Sequence, residues 1–253
     1  MSKLLLVSIV TPLMFVTGCR QETPLSGSRD SSADLILANC ESVQQAAETF
    51  ASENNGIYPL SISSQSLEGN TLLDLLPGGE RLTNPITGNS TEPVDLTAVT
   101  PGQTGYRPYL AWDGQSWEAE GYVVTGYGES ERIVTLSHGC PDSILVLEEQ
   151  VIDNCYTLRA AVEVFATENG GLYPKDVDSD LSEAGQHTVQ NLLPGGAWLV
   201  NPMTQTGSEP VNSQAAVPGE TGYEPLFETL QPQGYHITGF GQSQIIIVIE
   251  TLP

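Results

Sequence analysis

The sequence predicts an α+β fold made twice: two tandem units, each one long helix packed on a small antiparallel β-sheet. Three observations lead there. The ten residues from Phe50 to Pro59 return, with conservative changes, from Phe165 to Pro174. Upstream of each copy, apolar residues recur at steps of three and four, the spacing of one helical face. Downstream of each, Gly and Pro turns punctuate β-rich sequence.

Residues 1–18 read as a signal peptide. Lys3 is a minimal basic start, and Leu4 to Val16 is a mainly apolar run of thirteen residues. A membrane span needs ~20. The run ends in Val16-Thr17-Gly18-Cys19. Small residues followed by a cysteine resemble the lipobox of bacterial lipoproteins. The resemblance implies that Cys19 is lipid-modified, becomes the mature N-terminus and makes the membrane a partner. Two or more acyl chains hold a protein firmly. Arg20 follows in place of an Asp retention signal, so the resemblance implies an outer-membrane or cell-surface position. Residues 19–30 are polar, with Pro, Gly and Ser, and read as a flexible tether.

The first repeat spans residues 31–138. Its helix is expected to start near Ser31 to Asp34, which are N-cap candidates. Ile36, Cys40, Val43, Ala47 and Phe50 form its apolar stripe. Gly56 can take positive φ and end the helix, and Pro59 prevents its resumption. Ser61 to Gly69 reads as loop and Thr71 to Leu76 as a short apolar turn or helix. Pro77-Gly78-Gly79, Asn84-Pro85 and Thr87-Gly88 read as turns. Strands follow over Tyr106 to Trp112, Glu120 to Tyr127 and Arg132 to Leu136, with Asp113-Gly114 as a hairpin turn.

The second repeat spans residues 139–253, after a break at His138 to Pro141. Ile144, Leu147, Val151, Cys155, Leu158, Val162 and Phe165 carry one stripe over about six helical turns. Pro194-Gly195-Gly196, Asn201-Pro202, Glu209-Pro210-Val211, Gly222-Tyr223 and Gly234-Tyr235 each match a landmark of the first repeat. Cys40 and Cys155 lie 115 positions apart, Pro77 and Pro194 117, and Gly121 and Gly234 113. The changes in offset fall in the loop after the helix and in the first hairpin. Indels confined to loops are expected of a duplicated fold.

These landmarks together resemble the soluble heads of type IV pilin-like proteins, especially the pseudopilins of type II secretion. The resemblance rests on the helix end Glu53-Asn54-Asn55-Gly56-Ile57-Tyr58-Pro59, the Asn84-Pro85 turn and the Gly-Tyr strands. It implies two tandem pilin-like domains. The apolar filament-forming segment of pilins, with its Glu at the fifth position, has no counterpart here.

Charge narrows the functions. The chain has 253 residues, with 8 Lys and Arg against 31 Asp and Glu, for a net charge of −23. Such a surface repels nucleic acid and anionic lipid. No Gly-x-Ser-x-Gly elbow, phosphate loop or zinc-type His spacing occurs. His138, His187 and His236 lie far apart in the chain. Trp112, Trp117 and Trp198 could stack on sugars or simply sit at hairpin edges. Asp176, Asp178 and Asp180 alternate as calcium ligands do, but lack the loop Gly and the bidentate Glu. Cys40 and Cys155 fall on apolar stripes and read as buried thiols. A disulfide between Cys40 and Cys140 is the alternative open to an exported protein. Cys140 and Cys155 would be about 22 Å apart on one continuous helix, which excludes their pairing if that helix starts by Asp142.

The expected function is therefore a non-enzymatic, lipid-anchored envelope protein. It would act as an interaction or structural module with other envelope or secretion proteins, including type II secretion or pilus-like machinery. A surface lipoprotein that binds calcium or carbohydrate is the alternative.

Overall fold

The computed structural model describes residues 31–79, 81–228 and 230–251. The signal peptide, Cys19 and the tether lie outside the described residues. The chain runs through α1 (Ser31–Glu53), β1 (Leu82–Thr83), β2 (Ser90–Thr91), β3 (Val94–Asp95), β4 (Thr104–Trp112), β5 (Trp117–Tyr127) and β6 (Arg132–His138). It continues through α2 (Asp142–Glu168), α3 (Val189–Leu192), β7 (Leu199–Asn201), β8 (Thr206–Glu209), β9 (Thr221–Phe227), β10 (Pro232–Phe240) and β11 (Ile245–Thr251).

The predicted fold class, two α+β pilin-like domains, is overturned. Eleven strands in four sheets against three α-helices make the described chain mostly β. The physical reason lies in the stretches read as turns. Asn84 and Asn201 each close a tight reversal, so their flanks pair as the two-stranded sheets β1–β2 and β7–β8. Val94 and Asp95 add a parallel strand beside β4, giving a sheet of order β3–β4–β5–β6. The second large sheet has the order β11–β10–β9, and an isolated parallel bridge from Val211 to Gly222 stands where β3 would be.

Each long helix buries its stripe on a sheet. Ile36, Cys40, Val43, Ala47 and Phe50 are all buried, over Tyr106, Tyr122 and Val124. Gly126 permits the close approach: a Cβ there would collide with Ile36 and sit 2.9 Å from Cys40 Sγ. Gly239 plays the same part under α2, where a Cβ would lie 2.8 Å from Val151 and 2.9 Å from Cys155 Sγ. The stripe of α2 departs from expectation in its first two turns. Ile144 and Leu147 are only half-buried, and the buried residue there is Glu148. That part of α2 packs on the first repeat.

The doubled stretch ends both helices as its residues dictate. Gly56 and Gly171 take φ of 88° and 92°, and each N–H donates back to the carbonyl of Ala51 or Ala166 at 2.8 Å. Asn55 (φ 58°) and Gly170 (φ 64°) precede them in the same left-handed region, which Asn and Gly tolerate best.

Candidate functional site

Matching positions of the two repeats make matching contacts. Glu48 on α1 accepts Tyr122 Oη at 2.7 Å and Tyr58 Oη at 3.0 Å. Glu163 on α2 accepts Tyr235 Oη at 2.7 Å. The rings of Tyr58 and Tyr122 meet edge-on at 5.1 Å, and those of Tyr173 and Tyr235 at 5.0 Å. Tyr106 Oη donates to Pro59 O at 2.8 Å and Tyr223 Oη to Pro174 O at 2.6 Å. One tyrosine cluster thus ties helix, helix-end loop and sheet together in each half. Burial and then the neighbouring Glu48 push the Tyr58 and Tyr122 phenols up. At neutral pH they serve as donors, not as bases.

The glutamate that closes each helix is a staple. Glu53 accepts Ser66 Oγ at 2.8 Å and Asn70 Nδ2 at 3.0 Å. Glu168 accepts Ser182 Oγ at 2.6 Å, and His187 Nδ1 lies 3.2 Å from both its oxygens. A serine, a histidine and a glutamate therefore meet, but in the wrong order for nucleophilic catalysis. Hydroxyl and imidazole both turn to the carboxylate, and Ser182 Oγ faces the His187 backbone N–H at 3.2 Å. In the Asn-Pro turns, Asn84 Nδ2 donates to Pro101 O at 3.0 Å and Asn201 Nδ2 to Pro218 O at 3.1 Å.

The sequence-predicted site residues scatter. Cys40, Cys140 and Cys155 are free thiols, so the Cys40–Cys140 pairing is corrected. Cys40 packs at Gly126, whereas the segment leading to Cys140 crosses β5 at Gly121. Five strand residues, about 17 Å, separate those points. Burial pushes the Cys40 and Cys140 thiols up to about 12. Asp176, Asp178 and Asp180 do not converge. Asp176 Oδ1 accepts the N–H groups of Ser179 at 2.6 Å and Asp180 at 3.0 Å, and Asp180 Oδ2 accepts Lys175 N at 2.8 Å. Among the described residues no three potential metal ligands are gathered. Trp112 and Trp117 pair across the tip of the β4–β5 hairpin, 5.7 Å apart and about half exposed. Trp198 is half-buried against the second core.

Sequence reasoning missed the contact between the repeats. Arg107 on β4 and Glu148 on α2 form an ion pair at 2.7 Å, with side chains only 2% and 4% exposed. Arg132 pairs with Glu149 beside it. Gln244 Nε2 donates to Pro108 O at 2.7 Å, and Thr97 N donates to Ile246 O at 3.0 Å. A cleft of about 320 Å³ opens next to that last bond. The first repeat lines it with residues 94–97, 99, 100 and 103, and the second with residues 248–250 of β11 and Arg159 of α2. The available signal was divergence between copies: Arg107 aligns with Glu224, and Arg159 with Gln44.

No family model, no curated protein and no solved structure matches the chain. Among the described residues no helix is long and apolar enough to cross a membrane.

Proposed function

We propose that the chain is a non-enzymatic binding module, held at a bacterial envelope by lipid on Cys19, whose partners are other envelope or secretion proteins. One observation carries this reading. The polar side chains that the duplication repeats are spent on holding the fold together: Glu48 and Glu163 tie helix to sheet, and Asn84 and Asn201 tie the Asn-Pro turns to the loops before β4 and β9. Arg107 and Arg159, which the copies do not share, both lie where the repeats meet. The lipobox resemblance of Val16 to Cys19 supports the anchor, and the net charge of −23 disfavours nucleic-acid partners.

The test has two parts. Radiolabelled palmitate should enter the full chain, and Cys19→Ala should abolish labelling and release the protein from membranes. Photo-crosslinkers placed along Val94–Thr100 should then capture an envelope protein in cells, while one at buried Val43 captures none. Unlabelled, soluble protein overturns the anchor, and absence of any crosslinked envelope protein overturns the partner class.

The exposed Trp112–Trp117 pair supports a second reading, a carbohydrate-binding surface, since paired indoles present flat apolar faces. Glycan-array binding lost in Trp112→Ala would favour it over the first.

A further inference from the structure

Arg159 stands apart from the other arginines among the described residues. Arg81, Arg107 and Arg132 each pair with a glutamate. Arg159 makes no ion pair or hydrogen bond among the described residues, in a chain with 31 acidic side chains. The nearby carboxylates are engaged elsewhere. Glu163 holds Tyr235, Glu250 lies 3.1 Å from His236 Nε2, and Asp95 accepts Ile62 N at 2.8 Å. In the first repeat the matching Gln44 donates to Tyr122 Oη at 3.1 Å. Where the first repeat uses this position to brace its own sheet, the second places an unpaired guanidinium beside a cleft.

The cleft walls suit an extended chain. β11 pairs with β10 on one side only. On its other side, the bond from Thr97 N to Ile246 O joins it to the first repeat. Residues 94–96 of the first repeat and 248–250 of β11 both line the opening beside that bond. An edge strand presents unpaired N–H and C=O groups that accept another strand. A volume of about 320 Å³ lies at the small end of ligand pockets, enough for a few residues of peptide.

We propose that this cleft binds an extended peptide segment with one acidic side chain, whose carboxylate pairs with Arg159 while its backbone runs along β11. A guanidinium takes a carboxylate through two parallel N–H bonds, which selects an acid over its amide. Asp95 and Glu250 on the walls, and the chain's net charge of −23, favour basic residues on either side of that acid. The recognised pattern is a single carboxylate between apolar residues, flanked by Lys or Arg. The proposal rests on the binding-module reading, and its test stands apart from lipid anchoring and crosslinking.

The probe is the fluorescent, end-blocked peptide Lys-Val-Glu-Val-Lys, titrated against the mature chain by fluorescence anisotropy. Saturable binding is expected, weakened about tenfold or more when the central Glu becomes Gln. Methylating one backbone amide on the strand-pairing edge should weaken it similarly. Arg159→Gln should erase the preference for Glu over Gln, and Arg159→Lys should restore part of it. The melting temperature of both variants should match the parent, because Arg159 makes no ion pair or hydrogen bond among the described residues. Three results overturn the proposal: no binding up to ~1 mM, equal binding of Glu and Gln peptides, or a preference that survives Arg159→Gln. Tighter binding of Lys-Val-Lys-Val-Lys would also overturn it, by showing simple charge attraction. Any of these with lipidation and crosslinking intact removes the cleft proposal and leaves the anchored module standing.

Discussion

Glu148→Gln should cost this protein more stability than any change on its surface. The substitution keeps shape and keeps an oxygen for the Gln242 N–H, which Glu148 Oε1 accepts at 3.1 Å. It removes the charge opposite Arg107, whose side chain is 2% exposed. Stranding a buried charge costs about 3–5 kcal/mol. For a chain of 150–250 residues each kcal/mol moves the melting temperature by about 2–4 °C, so a fall of about 6–20 °C is expected. Arg107→Met should fall similarly, since it strands Glu148. The double variant Arg107→Met, Glu148→Leu should recover most of the loss. Arg107 Nε has no partner, so the native pair is not fully satisfied and gains little over apolar packing. Calorimetry on all four proteins closes the cycle. The reasoning is refuted if Glu148→Gln melts within 2 °C of the parent, or if the double variant melts as low as either single one.

Tyr122→Phe and Tyr235→Phe each remove a hydrogen bond to a carboxylate at 2.7 Å, and each should cost about 1.5–3 kcal/mol in urea unfolding. A large inequality between them would show that the two clusters are not equivalent. Gly126→Ala drives a methyl into Ile36 and Cys40, and Gly239→Ala one into Val151 and Cys155. Overpacking of this kind should cost about 1–3 kcal/mol in each, read by thermal melting. Burial raises the Glu209 carboxyl above its usual range, so the folded state holds that proton more tightly than the unfolded one. Its contribution to stability therefore falls as pH rises from about 4.3 through the folded value, and Glu209→Gln should remove that decline. The Ser182 hydrogen bond lowers the Glu168 carboxyl, so its contribution is lost as pH falls through the folded value. Alkylation of the denatured chain without reductant should label Cys40, Cys140 and Cys155 alike; in the native chain Cys40 and Cys155 should resist, being fully buried.

Local order was legible where one residue type decides it. The left-handed turn at Gly56 and Gly171 and the apolar stripe of Ile36 to Phe50 follow from backbone sterics and helical period, and both are present. The fold class was misread because short strands leave no periodicity. Two-residue strands such as Leu82–Thr83 are held by turn geometry, here the side chain of Asn84, and not by an alternating pattern. The staple from Glu53 to Ser66 and Asn70 was equally hidden, because its partners are polar residues in what reads as plain loop. The disulfide was misjudged because stripe membership says nothing about which end of a strand a cysteine meets.

Duplication separates two kinds of polar residue that a single copy would blur. A side chain needed by the fold is needed twice, so Glu48 recurs as Glu163, Thr125 as Thr238 and Asn84 as Asn201, each keeping one matching bond in both halves. A side chain needed once is free to diverge. Arg107 became or replaced Glu224, which is half-buried and faces no first-repeat counterpart of α2. Thr97 is 3% exposed beneath β11, while its match Gln214 lies open to solvent. The contact between repeats is thus one-sided: the first offers the segment before β4 with Arg107 and Pro108 of β4 and Arg132 of β6, and the second covers it with β11, Gln244 and α2. Extending the row would set Glu224 against the matches of Glu148 and Glu149, which are Ala33 and Asp34. Neither neutralises a half-buried glutamate, so the charge pattern is expected to disfavour a third unit on this face. Glu224→Arg is the informative change. If gel filtration of that variant shows a concentration-dependent shift to larger species, Glu224 is the stop; an unchanged monomer-sized peak would mean the open face lacks complementarity for reasons of shape.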